Sequence, residues 1–199
     1  MHAINFLLAS AAIAATLSVS FTARATTDEI GGPFQLVDGD GKAVTDRSFH
    51  GRPVLLYFGF TSCPDVCPTD LARIERIARR VQQAGAPAPV PIFVSIDPQR
   101  DTPARMKAYV GAFGRDFIGL TGTPAQVARI ADQYDVYYKK VPYGTHGQYT
   151  MDHSTFLFLL DRNGRYLDHF GRGVDEAEVA RRVAAELKAP APRRVAAPN

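Results

Sequence analysis

Phe58-Gly-Phe-Thr-Ser-Cys63-Pro-Asp-Val-Cys67-Pro68 holds both cysteines of this 199-residue chain. Upstream runs an unbroken apolar stretch from Val54 to Phe60. Downstream, Leu71, Ile74, Ile77, Ala78 and Val81 recur at helical spacing, with Arg73, Glu75, Arg76, Arg79 and Arg80 between them. A run that is apolar at every position suits a strand covered on both faces. Recurrence at i, i+3, i+4 suits a helix with one buried stripe. The stretch therefore reads as the end of a buried strand, a turn, and the start of a helix, with two thiols at the mouth of that turn. Such a pair is either a redox couple or half of a metal site.

The flanking sequence extends the same plan. Gly85 and the Pro87/Pro89 loop stop the first helix. Ile92 to Ile96 is a second buried strand, broken by Asp97-Pro-Gln-Arg-Asp101-Thr102-Pro103. Thr102 suits an N-cap and Pro103 a first helical position, so a helix follows to about Phe113. Thr123-Pro124 repeats the device for a helix from Ala125 to Tyr134. On the N-terminal side, Phe34-Gln-Leu36-Val alternates into the turn Asp38-Gly-Asp-Gly41 and on to Ala43-Val44, a short hairpin. On the C-terminal side, Val136 to Val141 is strand-like, and Pro142 to Thr150 reads as a polar loop. Met151-Asp-His153-Ser then leads directly into the apolar run Thr155 to Leu160. Arg162-Asn163-Gly164-Arg165 reads as a two-residue hairpin turn, Tyr166 to Phe170 as the returning strand, and Asp175 to Leu187 as a last helix. The order β-β, β-α-β-α-α, β-β-α predicts an α/β thioredoxin-like fold. It has a mixed central sheet flanked by helices, an extra N-terminal hairpin and an inserted helix.

The two ends fall outside this domain, which spans 26–188. Residues 4–21 are apolar or small without a charge, and Ala23-Arg-Ala25 supplies a small-x-small cleavage pattern, so residues 1–25 read as a secretory signal. The rival reading is an uncleaved membrane tether through residues 4–21, a length able to span a bilayer. Either places the folded part outside the cytoplasm, periplasmic or held at the inner membrane facing the periplasm. Residues 189–199 are rich in Ala, Pro and Arg and read as a disordered tail. The formal charge of +3 is small and evenly spread, which argues against nucleic acid as a partner.

In an exported protein two cysteines tend to close into a disulfide. The Cys-x-x-x-Cys spacing resists this on a regular helix, where i and i+4 Cβ atoms stand about 5–6 Å apart and a relaxed bridge wants about 3.5–4.5 Å. Pro64 and Pro68 make the turn irregular and leave the bridge open as an alternative. Two sulfurs on one metal ion fit with less distortion, but need a further ligand. Of His50, His146, His153 and His169, His153 stands out. It precedes a buried strand that would neighbour the cysteine strand, with Asp152 beside it to orient the imidazole and Tyr149 and Met151 to shade the site. His146 is an auxiliary possibility; His50 and His169 read as surface residues. Two thiolates and an imidazole favour copper, as Cu(I) or Cu(II), over structural zinc, which wants four protein ligands. The Arg73/Arg76/Arg79/Arg80 run reads as a solvated helix face or a docking patch for an acidic partner. Tyr134, Tyr137 and Tyr138 read as packing.

The cysteine stretch, extended to Tyr57, resembles the signature of the Sco/SenC copper chaperones. Ser95-Ile-Asp97-Pro-Gln-Arg-Asp101-Thr102, Gly119-Leu-Thr-Gly122-Thr, Val136-Tyr-Tyr138, Asp152-His153-Ser and Leu160-Asp-Arg-Asn-Gly164 match it in order, over about Gly31 to Leu187. The resemblance implies a thioredoxin-like fold with Cys63, Cys67 and His153 as copper ligands. It also implies delivery of copper to, or reduction of the cysteines of, the dinuclear copper site in cytochrome c oxidase subunit II. A thiol–disulfide oxidoreductase of exported proteins, with Cys63 and Cys67 as the redox pair, is the alternative. Asp97 and Asp101 match family positions and take a structural or docking role. A peroxidase is disfavoured, since the cysteine turn does not resemble a peroxidatic site.

Overall fold

The computed structural model describes residues 30–145 and 147–188. The leader 1–25, His146 and the tail 189–199 lie outside the described residues. The cysteine strand is β3, Val54–Gly59, and the second buried strand is β4, Val90–Ser95. All six residues of each are buried, so the sheet is covered on both faces here, as their unbroken apolar runs predict. They pair in parallel, Leu56 opposite Ile92 and Gly59 opposite Ser95. The parallel pairing requires a crossover, supplied by the helix α1, Val66–Gln83.

β3 and β4 form the middle of a seven-stranded mixed sheet. The hairpin β1, Gln35–Asp38, and β2, Ala43–Thr45, extends one edge as predicted. It joins through β5, Ile118–Thr121, a strand that the sequence reading passed over. Four residues with a glycine among them carry little periodicity, and only pairing with β4 identifies them as a strand. On the other side, β3 pairs antiparallel with β8, Leu157–Leu160, and β8 with β9, Tyr166–Phe170. Two helices begin at the predicted Thr-Pro caps: α2, Pro103–Gly111, and α3, Pro124–Gln133. The cap hydroxyls of Thr102 and Thr123 accept the backbone N–H of Arg105 and Gln126. α4, Glu176–Lys188, closes the domain and packs along α1.

Three local expectations change. The turn after β8 has three residues, not two: Asp161 N–H donates to the Arg165 carbonyl, with Arg162, Asn163 and Gly164 between them. Gly164 takes φ +75°, the left-handed value that lets a type I turn rejoin the ladder through a bulge. The arginine run is neither a free patch nor merely solvated. Arg76 and Arg80 both bridge Glu176 of α4, Arg79 pairs with Glu75, and Arg73 donates to the Val174 carbonyl. The run therefore tethers α1 to α4. Tyr134 is buried as expected, whereas Tyr137 is more than half exposed.

The largest difference lies between α3 and β8. The segment read as a loop to Thr150 is half of a hairpin: β6, Tyr138–Pro142, pairs antiparallel with β7, Tyr149–His153. This two-stranded sheet makes no ladder with the main sheet. His153 ends β7 opposite Tyr138, rather than starting the buried strand, which begins four residues later.

Candidate functional site

Cys63 lies before α1, in the bend between β3 and the helix. Its N–H donates to the Phe60 carbonyl. The objection to a close approach of the two sulfurs, drawn from regular helical spacing, does not hold here, because only Cys67 is helical. Pro68 sits in the first turn, where a missing N–H costs nothing. Asp65 occupies the N-cap position but makes no side-chain cap. Instead Cys67 N–H points at Cys63 Sγ, 3.3 Å away. The sulfur takes the role of the cap for orphan donors at the helix start.

This arrangement separates the two thiols. Cys63 is lowered to about 5, first by the Cys67 side chain and also by the backbone N–H groups of Cys67, Asp65 and Val66, which outweigh its burial. Cys67 is pushed well up, by the Cys63 side chain and then by burial. Neither is in a disulfide; Cys63 is half-buried and Cys67 buried. The pair is a thiolate in front of a protonated thiol.

Gly59, the last residue of β3, admits Cys67. A Cβ there would stand 2.9 Å from Cys67 Sγ and 2.7 Å from the Phe93 ring. Behind the thiol, Asp70 is buried at 3% exposure. It accepts the Tyr57 hydroxyl at 2.7 Å and Arg172 Nε at 3.1 Å. Burial chiefly raises the Tyr57 phenol, with the neighbouring cysteine and Asp70 adding to it, so Tyr57 remains a donor.

His153 reaches the cysteines from β7. Its Nε2 lies 3.9 Å from Cys67 Sγ. Its Nδ1 lies 2.7 Å from the Ser154 carbonyl. A carbonyl can only accept, so Nδ1 carries the proton and Nε2 presents its lone pair to the sulfur. Asp152, expected to orient the ring, does not: it is exposed and, as a strand neighbour, points to the opposite face. The backbone of the next residue does that work, which no side-chain pattern signals. Phe60 was also missed as a site residue, and its ring stands edge-on to the imidazole at 5.9 Å. Tyr149 covers Arg100 rather than the sulfurs.

The sequence-predicted trio is thus brought to one place, although among the described residues no group of three or more His, Cys, Asp or Glu side chains is preassembled to hold a metal ion. Cys67 and His153 meet, while Cys63 Sγ is engaged by the Cys67 N–H. His50 and His169 lie elsewhere, His50 near Asp46 and His169 against Tyr166 and Phe156. As donors the trio suits a soft or borderline ion: one thiolate already formed, one thiol, and one imidazole nitrogen of fixed tautomer.

Residues 22–188 match the family model described as SCO1/SenC. The chain belongs to the SCO1/SenC family. Among curated members, it is 41% identical over 152 residues to an SCO2-like protein of Rickettsia prowazekii, covering 76% of this chain and 74% of that one. The human mitochondrial SCO1 homolog is 37% identical over 160 residues, 80% of this chain and 53% of the relative. Solved SCO1/SenC structures superpose on the thioredoxin-like domain. Bradyrhizobium japonicum ScoI with copper bound is 46% identical with TM-score 0.69, covering 78% of this chain and 98% of that one. Arabidopsis thaliana ScoI with copper bound is 36% identical with TM-score 0.76, covering 79% and 97%.

Proposed function

We propose that this protein is a copper chaperone that holds copper through Cys63, Cys67 and His153 and passes it on by ligand exchange. The observation that carries the reading is the meeting of Cys67 Sγ and His153 Nε2 at 3.9 Å, with the other ring nitrogen tied to a carbonyl. That leaves a lone pair facing a sulfur, a donor geometry rather than a packing accident. The relatives described with copper bound support copper as the cargo. The receiver consistent with the family resemblance is the dinuclear copper site of cytochrome c oxidase subunit II. The apolar leader at residues 4–21 supports work in the periplasm, free or tethered to the inner membrane.

The thiol pair favours a companion activity, reduction of the receiver's disulfide. The Cys63 thiolate attacks one sulfur of that disulfide, forming a mixed disulfide and expelling a receiver thiolate. Cys67 gives up its proton and attacks Cys63 Sγ, expelling the second receiver thiolate. This chain is left oxidised by two electrons as a Cys63–Cys67 disulfide.

The test is anaerobic copper titration of the reduced domain. One copper binds per chain, and Cys63→Ala, Cys67→Ala and His153→Ala each weaken it strongly. Unchanged affinity in His153→Ala removes the three-donor reading. His153→Ala retains disulfide reduction if the thiols alone carry that step.

A further inference from the structure

The β6–β7 hairpin that carries His153 is not part of the main sheet, yet the imidazole is placed against a buried sulfur. Ladder hydrogen bonds to the main sheet do not set that placement; the Ser154 carbonyl fixes the rotation of the ring, and side-chain contacts hold the hairpin that carries it. We propose that the loop 97–101 between β4 and α2 is the bracket that fixes the imidazole over the thiols, with Arg100 as the positioning residue. This rests on the copper-ligand reading above.

One end of the loop holds the cysteine turn. Asp101 is 1% exposed. It accepts Thr61 N–H at 3.1 Å, the Thr61 hydroxyl at 2.6 Å and the Ser95 hydroxyl at 2.7 Å. The other end holds the hairpin. Asp97 is 3% exposed and accepts the Tyr149 hydroxyl at 2.9 Å. Arg100 Nη1 donates to the Tyr149 carbonyl at 2.9 Å, and its guanidinium carbon lies 3.8 Å over the Tyr149 ring. Arg100 Nε closes the arrangement by donating to Asp97.

The loop between these ends is short and stiff. The N–H groups of Arg100 and Asp101 both donate to the Asp97 carbonyl, and Asp97 N–H donates to the same Ser95 hydroxyl that Asp101 accepts. Arg100 also reaches the Phe60 ring, 5.8 Å from its guanidinium carbon, and that ring stands against His153. Thiol turn, bracket and imidazole are therefore one continuous set of contacts. Lysine cannot replace the arginine, because the placement uses Nε, Nη1 and the flat face of the guanidinium together.

The experiment pairs a metal-free and a copper readout. In the reduced apoprotein, nuclear Overhauser contacts between the His153 and Phe60 rings are present in the parent. They are lost in Arg100→Gln and not restored in Arg100→Lys, while amide shifts of β3 and β4 are unchanged. Ring contacts that persist in Arg100→Gln overturn the proposal. Copper(I) affinity against a colorimetric chelator falls about 10–100-fold in Arg100→Gln, the loss that follows removal of a partner orienting a ligating histidine. In the His153→Ala background, Arg100→Gln has no further effect. An equal loss in both backgrounds means general damage and overturns the positioning role while leaving the three-donor reading intact. Parent-like affinity in His153→Ala overturns that reading instead, and the ring contacts alone then decide the proposal. Tyr149→Phe, which deletes only the hydroxyl on Asp97, shifts both readouts the same way by less; no shift in either overturns the proposal even if Arg100→Gln fails to fold.

Discussion

His153 offers Cys67 a free lone pair from Nε2 because Ser154, its own chain neighbour, occupies Nδ1 through a backbone carbonyl. The tautomer that a soft metal needs is therefore present before any metal arrives, and it costs no side chain to enforce. The complementary asymmetry lies in the thiols, one ionised and one protonated.

That asymmetry predicts an order of alkylation. Cys63, lowered to about 5, is protonated below that pH and thiolate above it. In the reduced apoprotein its reaction with iodoacetamide rises between about pH 4 and 6 and is then flat, whereas an unperturbed thiol would go on gaining toward pH 8.5. Cys67 reacts more slowly throughout. Peptide mass spectrometry of quenched samples reads both, and a half-maximum for Cys63 near pH 8.5 contradicts the thiolate assignment.

Gly59→Ala tests the contact between β3 and Cys67. The new methyl meets the sulfur and the Phe93 ring inside van der Waals distance, with no slack in a fully buried strand. Overpacking of this kind costs about 1–3 kcal/mol. A denaturant midpoint lowered accordingly, with weakened copper binding because the sulfur is pushed off its seat, is the expected result.

Asp70 and Arg172 are unequal partners. Asp70→Ala strands the buried Tyr57 hydroxyl without an acceptor, a loss of about 1–3 kcal/mol. Arg172→Ala leaves that bond in place but strips the cation from a carboxylate that is only 5% exposed, so a buried charge is left without its partner and the cost is larger, about 3 kcal/mol or more. An Arg172→Ala midpoint in urea no lower than that of Asp70→Ala would contradict the cost assigned to the stranded carboxylate.

Asp161 gives a pH-dependent term. Burial works to raise it, but N–H donors from Arg165 and Asn163 and the Arg165 guanidinium outweigh this and hold it below 3.8. A depressed carboxyl stabilises the folded state above its unfolded value and loses that contribution as pH falls through the folded one. The stability difference between the parent and Asp161→Asn is therefore constant at neutral pH and shrinks below about pH 4. Parallel urea titrations across that range check it; a difference independent of pH rules the term out.

The legible parts of this chain share a cause. β3, β4 and α1 announce themselves because every apolar position answers to one continuous core, and the Thr-Pro caps of α2 and α3 act through neighbours in sequence. The cysteine turn and His153 stood out in the sequence because they are chemically distinctive, and the structure places His153 Nε2 3.9 Å from Cys67 Sγ. β5 and β7 could not be read, since short strands with a glycine or polar residues are defined by their partners rather than by a pattern. The role of Asp152 was misjudged because adjacency in sequence is opposition across a strand. Local composition alone determined a thioredoxin-like sheet with thiols at its strand-to-helix mouth. Which atom orients the imidazole and which thiol is ionised were decided by backbone geometry within four residues that no side-chain pattern signals. That the imidazole meets the sulfur, and which loop ties hairpin to turn, were decided by contacts between segments up to 86 residues apart, where distance and direction in space have no counterpart in order along the chain.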